Sequence, residues 1–248
     1  MRRCWIVVLL LLCIQAQGAE LRIAFGQSLA PYADEKTGQG LEIDIIRAAL
    51  KTVGHTLVPV FLPQARVPLA MRDAQFDGAA TLTPDSGVAG AYSEVYVHYL
   101  DMVVAPKGRL QQPLRMADLQ KLRVVGFQNA SLYLGPEYAA MVKTNPRYSE
   151  QANQLSQVRM LFGRQADAIV CDPRIFEYQV EQLRQSGFAE QPFAVDIFAA
   201  FDEIPYRIVF RDAAMRDSFN SGLLAIRQSG LLGQIEARYL RQKPGAGQ

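Results

Sequence analysis

Short apolar strands alternate with helices along this chain, and that alternation limits the folds open to it more than any other feature. Leu21, Ile23 and Phe25 alternate with Arg22 and Ala24, which is a strand pattern. Between Leu41 and Val53, Ile45, Ile46, Ala49 and Leu50 recur at helical spacing, and Gly54 closes the helix. Thr56 to Leu62 reads as a strand with Pro59 at its edge, Pro68 to Ala74 as a short helix, and Gly78 to Leu82 as a buried strand. The order β-α-β-α-β predicts an α/β fold with a mostly parallel sheet, because strands joined through a helix return in the same direction.

Tyr96 to Ala105 reads as one long apolar strand ending at Pro106, Lys107 and Gly108, and a second set follows it. Leu122 to Gly126 and Ala168 to Cys171 are its strands. Leu132 to Val142, Gln154 to Phe162 and Pro173 to Gln185 are its helices. Phe193 to Phe201 is apolar without a period, and Tyr206 to Phe210 is a strand. The helices Ala213 to Gln228 and Leu231 to Leu240 follow, parted by Gly230. The segment 96–108 leaves the first set and 199–208 leads back, so two lobes are expected, with Pro106 and Pro205 stiffening the crossings. The predicted division is 20–105 plus 205–248 for lobe 1 and 106–204 for lobe 2. A single larger doubly wound sheet is the alternative.

The N-terminus predicts export. Arg2 and Arg3 precede an apolar stretch from Trp5 to Ile14, and Ala16, Gly18 and Ala19 supply small residues for cleavage. Residues 1–18 are the expected signal peptide, with cleavage after Ala19 as the second choice. The apolar core is too short to cross a ~30 Å hydrocarbon layer as a helix, which disfavours an uncleaved anchor. Leu10, Leu11 and Leu12 before Cys13 lack the small residues of a lipoprotein site. The expected location is the periplasm.

Cleavage removes Cys4 and Cys13 and leaves Cys171 alone, so no intramolecular disulfide is expected and the core must carry the fold. The whole chain has 26 basic and 24 acidic residues; without Arg2 and Arg3 the two are equal at 24. Near-zero charge argues against nucleic acid or an anionic membrane as partner. The tail Lys243 to Gln248 reads as disordered. The two histidines, His55 and His98, have no Cys or carboxylate at metal spacing. No G-x-S-x-G, phosphate loop or H-E-x-x-H is present. No cofactor is implied, and Cys171 in an apolar strand reads as a small buried hydrophobe.

Taken in order, several motifs resemble the bacterial extracellular solute-binding proteins of the polar amino acid type. Gly40-Leu41-Glu42-Ile43-Asp44-Ile45 resembles that family's entry into its first helix, and Phe76-Asp77-Gly78 the approach to its third strand. Leu82-Thr83-Pro84-Asp85 resembles I-T-P-E, and Tyr92-Ser93-Glu94-Val95-Tyr96 resembles F-S-x-P-Y. Val125-Gly126-Phe127-Gln128 resembles the opening of the second lobe. Gly163 to Asp172 resembles G-x-x-D-A-x-x-x-D, and Phe219-Asn220 through Gly230 to Tyr239 resembles the closing helices. The resemblance covers roughly Leu21 to Leu240. It implies a two-lobed periplasmic-binding-protein fold of type II, a small polar solute (an amino acid or related carboxylate) held between the lobes, and a monomer that serves the membrane permease of an ABC importer.

An amino-acid ligand asks for a guanidinium fork or backbone N–H groups at its carboxylate and for a carboxylate at its ammonium. By resemblance Asp172 is the amine-binding residue; read locally, it caps the helix that begins at Pro173. Thr83 is either a cleft hydroxyl or an ordinary turn residue before Pro84. Ser131 either meets an anion or caps a helix, and Tyr32 either stacks on the ligand or sits in a surface loop. The family places an arginine after I-T-P-E, and the aligned position here is Ser86, which offers one hydroxyl and no charge. Arg66 is the candidate replacement, or else a solvated surface arginine. A second reading is a cyclohexadienyl or arogenate-type dehydratase on the same fold, with Glu94 or Asp172 as acid and Arg66 as grip. A third is a receptor that presents its ligand to a sensor kinase.

Overall fold

The computed structural model describes residues 18–188 and 194–240, so the expected signal peptide, apart from Gly18, and the tail lie outside the described residues. The first sheet collects β1 (Glu20–Gly26), β2 (Thr56–Leu62), β3 (Gly78–Leu82), β4 (Ala91–Tyr92), β5 (Val97–Tyr99) and β11 (Ile204–Phe210). Its order is β2-β1-β3-β11-β4, with β5 also on β11. The second sheet collects β6 (Met102–Pro106), β7 (Val124–Phe127), β8 (Ser149–Gln151), β9 (Ala168–Cys171) and β10 (Val195–Ala199), in the order β10-β6-β9-β7-β8. Both sheets are mixed. β1 runs parallel to β2 and β3, and β7 parallel to β8 and β9, whereas the crossing strands β5, β6, β10 and β11 pair antiparallel.

The helices follow from the sequence pattern. α1 (Leu41–Thr52) buries Ile45, Ile46, Ala49 and Leu50 and carries Glu42 and Asp44 in its first turn, where negative charge suits the helix dipole. It packs on α7 (Ala213–Gln228) through Gly222: a Cβ there would lie 2.1 Å from the Ala49 carbonyl oxygen, so only glycine lets the two backbones approach. α8 (Leu231–Leu240) completes that side. The second sheet is flanked by α2 (Met116–Leu119), α3 (Ala130–Tyr133), α4 (Gly135–Thr144), α5 (Gln154–Phe162) and α6 (Pro173–Gln185). One apolar cluster reaches from Phe25, Ile45 and Ile46 to Val103, Ala105 and Phe198, so the two sheets share core.

Several sequence expectations are corrected. The long strand from Tyr96 to Ala105 is two strands in different sheets, because Leu100 and Asp101 carry the chain across the gap. The helix expected from Leu132 to Val142 is broken into α3 and α4 at Gly135, whose φ of 86° no continuing helix accommodates. Phe193 to Phe201 contains a regular strand, β10, paired along β6. Pro68 to Arg72 forms a 3-10 turn.

Candidate functional site

Carboxyl ends of strands from both sheets converge on one partly open cavity. The first sheet contributes Gln27 and Leu29 beyond β1, Gln64 beyond β2, Thr81 on β3, Tyr99 on β5 and Tyr206 on β11. The second side contributes Phe127 and Gln128 at the end of β7, Tyr133 on α3, Gln151 at the end of β8, Gln154 on α5 and Ile175 on α6. Asp101 enters from the crossing between β5 and β6. Its empty space is about 470 Å³, part of it opening to solvent.

The walls are aromatic, and two of the amides that line them keep an unpartnered oxygen. Tyr99 and Tyr206 meet edge to face at 5.0 Å, and Tyr133 and Tyr206 at 6.3 Å. The Gln64 and Gln154 Oε1 atoms are buried without a hydrogen-bond partner. Gln64 reaches its position because residue 26 has no side chain: a Cβ on Gly26 would fall 1.8 Å from Gln64 Oε1. Asp101 is 3% exposed and accepts no hydrogen bond among the described residues. Burial, reinforced by the charge of Asp172, holds its carboxyl well above the ordinary range.

Beneath the cavity a second buried carboxyl is fully engaged. Glu42 Oε2 accepts hydrogen bonds from the Thr81 hydroxyl at 2.8 Å and from Tyr96, and Oε1 accepts from Tyr99. Burial raises the Glu42 pKa, and these three donors oppose the shift. Thr81 sits at φ 58°, uncommon for a β-branched residue, where the register between β3 and β11 shifts. That kink turns Thr81 between Glu42 and the cavity.

Asp172 and Tyr32 form a clasp between the two sides. Asp172 Oδ1 accepts from the backbone N–H of Arg174 at 2.8 Å and of Ile175 at 3.4 Å, capping α6. Its Oδ2 accepts from the Tyr32 hydroxyl at 2.8 Å and the Leu100 N–H at 3.2 Å. Arg174 donates to the same Tyr32 oxygen at 2.8 Å, and the Tyr32 ring stacks on Tyr99 with centroids 3.8 Å apart. Burial raises the Asp172 pKa against the pull of Tyr32 and Arg174. Glu177, one turn along α6, is pushed up to about 7 by burial and by Asp172.

The structure thus brings Tyr32 and Asp172 together and places the other four sequence candidates elsewhere; none of the six lines this cavity. Arg66 is exposed at the end of a 3-10 turn. Thr83 lines an open groove with Leu132, Glu203 and Arg207, and Tyr133 lines both spaces. The Ser86 hydroxyl lies 3.1 Å from that of Tyr92. At the start of α3 the N–H groups of Asn129 and Ser131 donate to Glu150 at 2.7 and 3.3 Å, so a carboxylate of the chain itself occupies the place where a ligand anion was expected. Glu94 is exposed beside Arg207 at 3.9 Å, and Cys171 is buried. Sequence reasoning missed Gln27, Gln64, Gln154 and Asp101. Only Asp101 carried a signal, as the lone acid inside the apolar run from Tyr96 to Ala105.

A family model described as "Bacterial extracellular solute-binding proteins, family 3" matches residues 21–242. The chain belongs to this family. Among curated proteins, a sequence search finds no match. Solved structures of similar fold include an ancestral arginine-binding protein bound to arginine, 20% identical, covering 90% of this chain and 99% of its own, with a TM-score of 0.72. A histidine kinase sensor domain with similarity to periplasmic binding proteins is 16% identical, covers 90% and 97%, and has a TM-score of 0.75. The ancestral amino acid-binding protein AncCDT-1, a precursor of cyclohexadienyl dehydratase, is 20% identical, covers 89% and 95%, and has a TM-score of 0.68. Family 3 membership and these likenesses agree with the two-sheet α/β fold. Among the described residues no helix is long and apolar enough to cross a membrane, and no group of three or more His, Cys, Asp or Glu could hold a metal ion.

Proposed function

We propose that this family 3 protein works in the periplasm, capturing a small polar solute, an amino acid or a close relative of one, between its two lobes and delivering it to the permease of an ABC importer. The observation that carries the reading is the cavity at the carboxyl ends of strands from both sheets, with tyrosine walls and unpartnered amide oxygens. Such a cavity fills when the lobes rotate about the crossings at 100–101 and 200–203. The likeness to an arginine-bound protein supports a solute of this kind. A thermal-shift screen of amino acids and their derivatives tests it. A ligand at 100 times its Kd stabilises the native state by about 2.7 kcal/mol, and no shift with any solute would contradict the reading.

One observation favours an enzymatic second reading. Asp101 is a buried carboxyl with a raised pKa facing the cavity, as a general acid requires. The acids first considered fit less well, since Glu94 is exposed and Asp172 has both oxygens occupied. Dehydration of prephenate or arogenate by the purified protein, lost in Asp101→Asn, would replace the capture reading.

A further inference from the structure

We propose that the cavity takes a small organic cation, an amine or a guanidine, whose charged nitrogen is held by the Asp101 carboxylate beside the Tyr99 and Tyr206 rings, and that a free carboxylate on the solute adds nothing to its affinity. The proposal rests on the capture reading and names the solute class within it. Among the described residues Asp101 is the only formally charged side chain lining the cavity, and no Arg or Lys lines it. A cation there gains a charge-assisted hydrogen bond to a carboxylate that accepts none, in a cavity whose walls include Tyr99 and Tyr206. It also relieves the repulsion between Asp101 and Asp172.

The opposite end of an α-amino acid finds no such welcome. The backbone N–H groups at the start of α3 are taken by Glu150, the Ser86 hydroxyl is engaged with Tyr92, and Arg66 is exposed outside the cavity. A buried carboxylate would have only neutral donors, amide N–H groups and tyrosine hydroxyls, to replace its water, and the unpartnered Gln64 and Gln154 Oε1 atoms are acceptors that would repel it. Asp172 cannot substitute for Asp101 without releasing Tyr32, Leu100 and its helix cap.

The test compares matched pairs on the purified, unaltered protein by calorimetry at fixed pH: arginine against agmatine, histidine against histamine, lysine against cadaverine. In each pair only the carboxylate differs. The expected result is that at least one decarboxylated member binds about tenfold or more tightly than its parent, the worth of leaving one charged group without a partner. Asp101→Asn should lose that binding by a similar factor while melting no lower than the unaltered protein. Amino acids binding more tightly than their amines, or an Asp101→Asn variant with unchanged affinity, would overturn the cation proposal and leave solute capture standing. Silence from every member of both series would take the capture reading down as well.

Discussion

Two buried aspartates stand next to each other in space and in opposite circumstances. Asp172 accepts four hydrogen bonds, from Tyr32, Leu100, Arg174 and Ile175, so both its oxygens are engaged within the chain. Asp101 accepts none and faces a cavity. Buried polar groups in folded proteins are almost always partnered, so the exception is the informative one. The family motif points to Asp172, where the chain answers its own polar groups. The open positions, Asp101, Gln64 and Gln154, belong to no motif.

The contrast can be broken most forcefully at Asp172. Asp172→Ala removes the cap of α6 and strands the Leu100 N–H and Tyr32 hydroxyl, which should cost about 3 kcal/mol in a denaturant titration. A loss below about 1 kcal/mol would mean the clasp is not structural. Tyr32→Phe removes one hydroxyl from the same clasp and should cost about 1.5 kcal/mol, leaving Asp172 its cap. Equal losses from the two variants would show that the cap contributes nothing.

The pH dependence sharpens the other side. The folded chain keeps the Asp101 proton beyond about pH 3.9, where the unfolded chain releases it. The folded state therefore binds more protons, so stability from this group is complete below that pH and falls as pH rises toward its folded pKa. Glu42, Asp172 and Glu177 shift in the same direction, Glu177 to about 7. Cys171, Tyr138 and Tyr206 also feel the Asp101 charge, and burial raises all three, so they stay protonated in this range. Melting temperature should fall from pH 5 to pH 7.5, and Asp101→Asn should make that fall shallower. An unaltered slope would remove Asp101 from the account. The smallest effect is expected from Gly26→Ala. Its methyl displaces the Gln64 amide and should weaken solute binding by about threefold to tenfold, the worth of one neutral hydrogen bond, with little change in melting.

Much of the fold was legible because period and punctuation are local. Leu21, Ile23 and Phe25 form β1, the apolar face from Ile45 to Leu50 forms α1, and Asp172 before Pro173 starts α6. The break at Leu100 and Asp101 was hidden, since an apolar run reads alike whether it serves one sheet or two. The cavity was harder still to foresee. A motif marks a position in the chain, and whether a polar group's hydrogen bonds are already answered depends on residues far away, such as Tyr32 for the Asp172 carboxylate and Glu150 for the Ser131 N–H. Glutamine gives no periodic signal, so Gln64 and Gln154 became visible only when their partners were found missing.

The central claim is that Asp101, and not Asp172, meets the solute. A crystal structure with the tightest-binding cation from the matched pairs tests it most directly. The ligand nitrogen should lie about 2.7–2.9 Å from an Asp101 oxygen, with the hydrogen bond from Tyr32 to Asp172 intact. A ligand nitrogen seated on Asp172, with Tyr32 displaced and Asp101 untouched, would contradict it.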